Sequence, residues 1–258
     1  MKQYAIVDLK GGLGNQIFQI AYALYIQSLG IKVVVDTHFF SSNMQFPRKL
    51  ELIPSEFGIK NINFKNTRVF DKFGVLFAES DTFDMSQLRK FNRFVGYYQD
   101  FKILENSKHS FQNYLKVGEN FKDKDRVAIH IRKGDYVELQ QDLSDKYYKD
   151  AINEFLKYNP DSIFDIYTDE DKLDLDSEIF INVDKVYTSK TNTNSVQVMK
   201  KMCEYSSYII ANSSFSALAA YFSTSEEKKV IYPSPWWRKS SIRIKSIPDN
   251  WISIPNNF

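Results

Sequence analysis

A chain of 258 residues with 43% hydrophobic residues can form one large or two small domains and bury a real core. A formal net charge of +2 argues against polyanion binding as the main task and leaves only a local basic pocket open. The single cysteine, Cys203, excludes an intramolecular disulfide and a cysteine-based zinc site, and His38, His109 and His130 lie too far apart for metal-ligand spacing.

The opening "MKQYAIVDLK" is too short and polar for a secretory signal, and no apolar run approaches the roughly 20 residues of a membrane helix. The expectation is a soluble, cytoplasmic protein. Tyr4 to Leu9 reads as a strand, "KGGLGNQ" as a glycine turn, and Gln16 to Leu29 as a helix with Ile17, Ile20, Ala21 and Leu24 at helical spacing. Gly30 stops it, and Ile31 to Val35 is a second, β-branched strand of the kind found in covered parallel sheets. From Asp36 to about Gln99 the pattern is poor, with frequent aromatic residues (among them Phe46, Phe64, Phe70 and Phe73), and short helices and loops are expected. Phe101 to Leu115 reads as one helix. The polar break "NFKDKD" sets a domain boundary near Asn120, so that 1–120 and 121–258 are separate domains.

The second half alternates regularly. Strands are expected at Arg126 to Ile131, Ile163 to Tyr167, Tyr208 to Ala211 and Lys229 to Tyr232, and helices at Tyr147 to Leu156, Asn194 to Glu204 and Phe215 to Phe222. Asn159-Pro160 ends the first of these helices. Such alternation predicts an α/β layer on a mostly parallel sheet.

Four segments carry groups suited to chemistry. "KGGLGNQIFQ" is neither a Walker A loop nor the dinucleotide fingerprint, since Ile17 sits where the third glycine belongs. It is either a tight strand-to-helix turn or a backbone that approaches a ligand, with the Asn15 and Gln16 amides at the helix start free to bond it. In "VAIHIRKGDY", period two puts His130 and Arg132, both able to carry positive charge, on one face and Ile129 and Ile131 on the other. Ligands of open α/β sheets bind beyond the carboxyl ends of strands, and the Arg132 fork suits a phosphate. The competing reading is an Arg132–Asp135 pair that supports a turn. "FDIYTDED" ends a strand in Asp169, Glu170 and Asp171, which suit a metal, a ribose or a guanine edge, or a solvated loop. "IIANSSFSALAAYF" runs from a strand through Asn212, Ser213 and Ser214 into a helix at Phe215, an anion site or an ordinary N-cap. Three strand ends carrying groups suited to phosphate or nucleoside argue more strongly together than singly.

Together, "GGLGNQIFQIAYAL", "HIRKGDY", "FDIYTDED" and "ANSSFS" resemble glycosyltransferase family 11, the α-1,2-fucosyltransferases. "RKLELIPSEFGI", "GYYQDFKIL", "YYKDAI", "KKVIYPSPWW" and "IPDNWISI" extend the resemblance through nearly the whole chain. The resemblance implies a GT-B fold of two Rossmann-like α/β domains with a cleft between them, the first on the acceptor side and the second binding the GDP-sugar. It implies GDP-fucose as donor, a glycan hydroxyl as acceptor, inversion at the anomeric carbon, and neither a cofactor nor a metal. His130, Arg132, Asp135 and Tyr136 fall on the family's His-x-Arg-x-x-Asp-Tyr motif. By that likeness the catalytic set is Asn15, His130, Arg132 and Asp135, with Arg132 on the β-phosphate. The donor-binding set is Gly14, Gln16, Arg132, Asp169, Asn212, Ser213, Ser214 and Phe215. Asp169 would read guanine or ribose, and Asn15 would face the sugar from the first domain. Expected partners are the GDP-sugar and the glycan, with no nucleic acid, no transmembrane segment, and room for peripheral contact at the inner face of the plasma membrane. Two alternatives stand beside this: a different GDP-6-deoxyhexose donor, or glycan or nucleotide binding without turnover.

Overall fold

The computed structural model describes residues 3–41, 47–63, 76–78, 86, 88–118, 124–173, 176, 178–191, 194–238 and 244–256. The chain divides into two compact units, Met1–Tyr114 and Leu115–Phe258. The expected boundary at 120, and Phe46, Phe64, Phe70 and Phe73, lie outside the described residues.

The first unit is built on a five-stranded sheet. Its strands are β1 (Tyr4–Asp8), β2 (Lys32–Asp36), β3 (Lys60–Ile62), β4 (Leu76–Ala78) and β5 (Phe91–Phe94). They lie in the order β3-β2-β1-β5-β4, with every pairing parallel. Helix α1 (Leu13–Ser28) begins three residues earlier than the spacing of its apolar residues suggested, because Leu13 is already buried with Ile17 and Phe18. Gly30, at φ +81°, closes it by donating to the Gln27 carbonyl at 3.0 Å. The single helix expected over 101–115 is two, α2 (Phe101–Glu105) and α3 (Lys108–Leu115), separated at Asn106-Ser107.

Strands β3 to β5 replace the expected loops. β5 pairs with β1 near the middle of the sheet, yet its sequence is Phe-Asn-Arg-Phe. It holds because its polar residues are paired. Asn92 donates to the carbonyls of Tyr4 and Arg89 at 3.1 and 2.9 Å. Buried Arg93 reaches Asp8 at 2.9 Å, at the end of the adjoining β1, and Asp36 at 2.8 Å, at the end of β2 one strand further on. Burial pushes the Asp8 carboxyl above its usual range in spite of Arg93.

The second unit carries a six-stranded sheet of β6 (Arg126–Ile131), β7 (Ile163–Thr168), β8 (Val183–Tyr187), β9 (Ser207–Ile209), β10 (Lys229–Ser234) and β11 (Ile252–Pro255). The order is β11-β10-β9-β6-β7-β8, again all parallel. Read from its far edge, this is the 3-2-1-4-5-6 order of doubly wound nucleotide-binding sheets. The helices are α4 (Gly134–Glu138), α5 (Asp145–Tyr158), α6 (Ser195–Met202) and α7 (Ser214–Phe222). α4, β8 and β11 were not anticipated. α5 is capped by Ser144, whose side chain accepts from the Tyr147 amide, and its Tyr147, Tyr148, Ala151, Ile152 and Phe155 form one buried stripe. That stripe packs on Val127, Ile129, Ile131, Phe164 and Ile166, and each fully buried aliphatic or phenyl side chain there contributes roughly 1.5–3 kcal/mol. Two Rossmann-like α/β units on parallel sheets make up the expected GT-B-type architecture.

Candidate functional site

Strand order locates the site in the second unit. From β6 the chain winds outward through β7 and β8, then crosses to β9 on the other side of β6. The carboxyl ends of β6 and β9 therefore flank the topological switch point, where doubly wound sheets bind ligands. "HIRKGDY" and "ANSSFS" follow these two strands.

Arg132 is the first residue beyond β6. Its Nη1 stands 2.7 Å from Asp169 Oδ2, and its Nη2 pairs closely with Asp135. The guanidinium lies 5.0 Å from the Tyr136 ring centroid. Tyr136 in turn donates its hydroxyl to the Asn212 carbonyl at 3.4 Å, linking the β6 end to the β9 end, and packs against Trp237. The Arg132–Asp135 pair of the competing reading is thus present, but as one half of a clamp that also uses Asp169 from the end of β7. Asp169 also accepts the Lys133 amide at 2.9 Å, and Glu170 accepts the Gly134 amide at 3.0 Å. Asp171 bonds the Ser189 hydroxyl at 2.5 Å instead.

His130 differs from the expectation that it could carry charge beside Arg132. It is 6% exposed on the face opposite Ile129 and Ile131, with its ring 5.8 Å from that of Phe215. Burial, and behind it the charge of Arg132, push the imidazole down to about 3, so it stays neutral. Among the described residues its buried Nδ1 has no hydrogen-bond partner, and neither does the buried Oδ1 of Asn212. The Asn212 Nδ2 donates to the Gln141 carbonyl at 2.8 Å.

Ser213 is the N-cap of α7, its Oγ accepting the Phe215 amide at 3.3 Å. Ser214 and Phe215 form the first turn and remain partly exposed. The cap uses one of the orphan amides of the first turn, so the N-cap of the sequence reading is present and does not by itself exclude the anion site.

Two tyrosines of α5 that sequence reading passed over hold these strand ends. Tyr147 donates its hydroxyl to the Ile210 carbonyl at 2.7 Å, and Tyr148 to the His130 carbonyl at 3.2 Å. Their signal in the sequence is only that tyrosines stand where a buried helix stripe would take phenylalanine.

In the first unit, Asn15 and Gln16 take different parts. Asn15, partly exposed, accepts from Gln99 Nε2 at 2.8 Å across the switch between β1 and β5. Its amide nitrogen would lie 2.5 Å from a Cβ at Gly11, whose φ is +78°, so this turn requires glycine. Gln16 is fully buried, and its amide is committed inside the unit. It donates to the carbonyls of Gly11 and Lys49 at 3.0 and 2.8 Å and accepts from the amides of Glu51 and Leu52 at 2.9 and 3.3 Å. Two donors and two lone pairs exhaust a carboxamide, so the expectation of a free Gln16 amide does not hold. Gly14 is buried as the second residue of α1. Among the described residues, no helix is long and apolar enough to cross a membrane.

The family profile described as Glycosyl transferase family 11 matches residues 53–254. The chain is similar to the Alpha-1,2-colitosyltransferase of Escherichia coli, 26% identical over 96% of this chain and 98% of the relative. It is similar also to the O-antigen biosynthesis glycosyltransferase WbnK of Escherichia coli, 24% identical over 95% of this chain and 99% of that one. Among solved structures, fucosyltransferase NodZ from Bradyrhizobium aligns with a TM-score of 0.44 at 14% identity, over 85% of this chain and 93% of that one. The profile covers well over half of the sequence and takes in the strand-end motifs of the second unit, and on that ground the chain belongs to glycosyl transferase family 11.

Proposed function

We propose that this glycosyltransferase moves L-fucose from GDP-fucose to a glycan hydroxyl, O2 of a terminal galactoside, with inversion and without a metal. The observation that carries the reading is Arg132, fixed by Asp135 and Asp169 just beyond the central strand at the switch point and linked through Tyr136 to Asn212. Breaking the bond between C1 and the phosphate oxygen leaves its electron pair on the departing diphosphate. A preorganised guanidinium and the amides at the start of α7 can meet that charge, each important donor contributing roughly 3 kcal/mol. Asn212, Ser213, Ser214 and Phe215 are assigned to the nucleotide, neutral His130 to a polar contact beside Arg132, and Asn15 to the transferred sugar. The acceptor hydroxyl attacks C1 from the face opposite the leaving group, forming the glycosidic bond as the C1–phosphate bond breaks, and its proton is released to solvent. A surface glycan as acceptor, and action in the cytoplasm at the inner face of the plasma membrane, go with this reading.

A second reading keeps the site and changes the sugar to another GDP-linked deoxyhexose. The name of the colitosyltransferase relative, which aligns along nearly the whole chain, favours weighing it.

The test is incubation with GDP-fucose or a second GDP-deoxyhexose, a panel of galactosides and excess chelator. GDP release and the product linkage by NMR are the readouts. GDP-fucose consumption with an α-1,2 product in chelator is expected. Turnover of only the other donor would select the second reading, and loss of GDP binding in chelator would overturn metal independence.

A further inference from the structure

The turn after β6 is fastened to the turn after β7 by side chains that converge on one point. Asp169 uses both oxygens, Oδ2 at 2.7 Å from Arg132 Nη1 and Oδ1 accepting the Lys133 amide at 2.9 Å. Asp135 holds Arg132 Nη2. A guanidinium has five N–H groups. Two carboxylates on its two terminal nitrogens fix its plane and leave the other N–H groups for a ligand. Gly134 sits at φ +23°, and a Cβ there would come within 2.3 Å of Asp169 Oδ2, so glycine is what lets the carboxylate reach in.

We propose that Asp169 is a positioning residue that acts on the donor through Arg132, not a reader of guanine or ribose. This rests on the reading that Arg132 grips the β-phosphate. A long arginine side chain loses rotamer freedom when it binds a phosphate, and a side chain already held loses less at that moment. Against this, the Asp169 carboxylate repels the same phosphate. The two effects have opposite signs in a variant that removes the charge and keeps the shape.

The test compares wild type with Asp169→Asn, Gly134→Ala and Arg132→Ala, measuring GDP, GMP and guanosine affinities by calorimetry and kcat for transfer. Asp169→Asn is expected to weaken GDP about tenfold while GMP and guanosine change by less than about twofold. Gly134→Ala should give the same pattern, because its Cβ displaces the Asp169 carboxylate from Arg132. In both variants kcat should fall further than GDP affinity, since the Arg132 contact strengthens as the leaving group gains charge. An equal loss for all three ligands would make Asp169 a nucleoside reader, and tighter GDP binding would make it a competitor of the phosphate; either overturns the proposal. If Arg132→Ala leaves the preference for GDP over GMP intact, the phosphate role of Arg132 fails as well. If Arg132→Ala abolishes that preference while the other two variants keep it, only the role of Asp169 falls. The Asn and Ala variants reach one contact from its two sides, so if one does not fold the other decides.

Discussion

The hydroxyl of Tyr148, on α5, donates to the backbone carbonyl of His130 at 3.2 Å. His130 is the penultimate residue of β6, so a core helix holds the strand end from which the guanidinium projects. Tyr148→Phe would keep the packing of the ring and leave a buried carbonyl without this donor. The expected cost is about 1–3 kcal/mol. Denaturant unfolding monitored alongside GDP binding checks this: stability should fall and GDP binding of the folded fraction should weaken slightly.

His130 makes the protein sensitive to acid. Its folded value of about 3 lies below the usual histidine value of 6.5. Between these limits the unfolded chain binds a proton that the native state refuses, so this contribution is complete above pH 6.5 and is lost as pH falls towards 3. Its full size is on the order of 5 kcal/mol. His130→Gln should flatten the difference between stability at pH 7 and at pH 4, read from urea midpoints. Parallel curves for both proteins would contradict the assignment of a neutral, buried imidazole.

Gln16→Ala should act on stability, not on the nucleotide. It deletes the bonds to Gly11, Lys49, Glu51 and Leu52 and leaves buried backbone groups unpaired. A loss of roughly 2–4 kcal/mol is expected, with GDP affinity of the folded protein unchanged. Thermal unfolding checks the first half, and calorimetric GDP titration of the folded protein checks the second.

Arg93→Met should be more damaging than its place in a short strand suggests. It strands Asp36, which is fully buried, and Asp8 without their cation. Breaking a buried ion pair from one side costs about 3–5 kcal/mol. The melting temperature should drop sharply at pH 7 and recover in part at mildly acidic pH, where the stranded carboxyls take up protons.

What the sequence determined by itself is what local periodicity carries. β1, α1, β2, β6, β7, β9, β10 and the helices α5 to α7 are long or apolar enough to show their repeat, and the polar residues that end β6, β7 and β9 marked the site region. β3, β4, β5, β8 and β11 escaped because short strands hold too few residues to print a pattern, and because β5 carries its arginine and asparagine inward. Only the tertiary structure decided what those residues touch. Arg132 meets Asp169 across 37 positions of chain, and Gln16 meets the 49–52 segment. The charge of His130 was likewise undecidable from spacing, because desolvation depends on how completely β9 and α7 close over the ring.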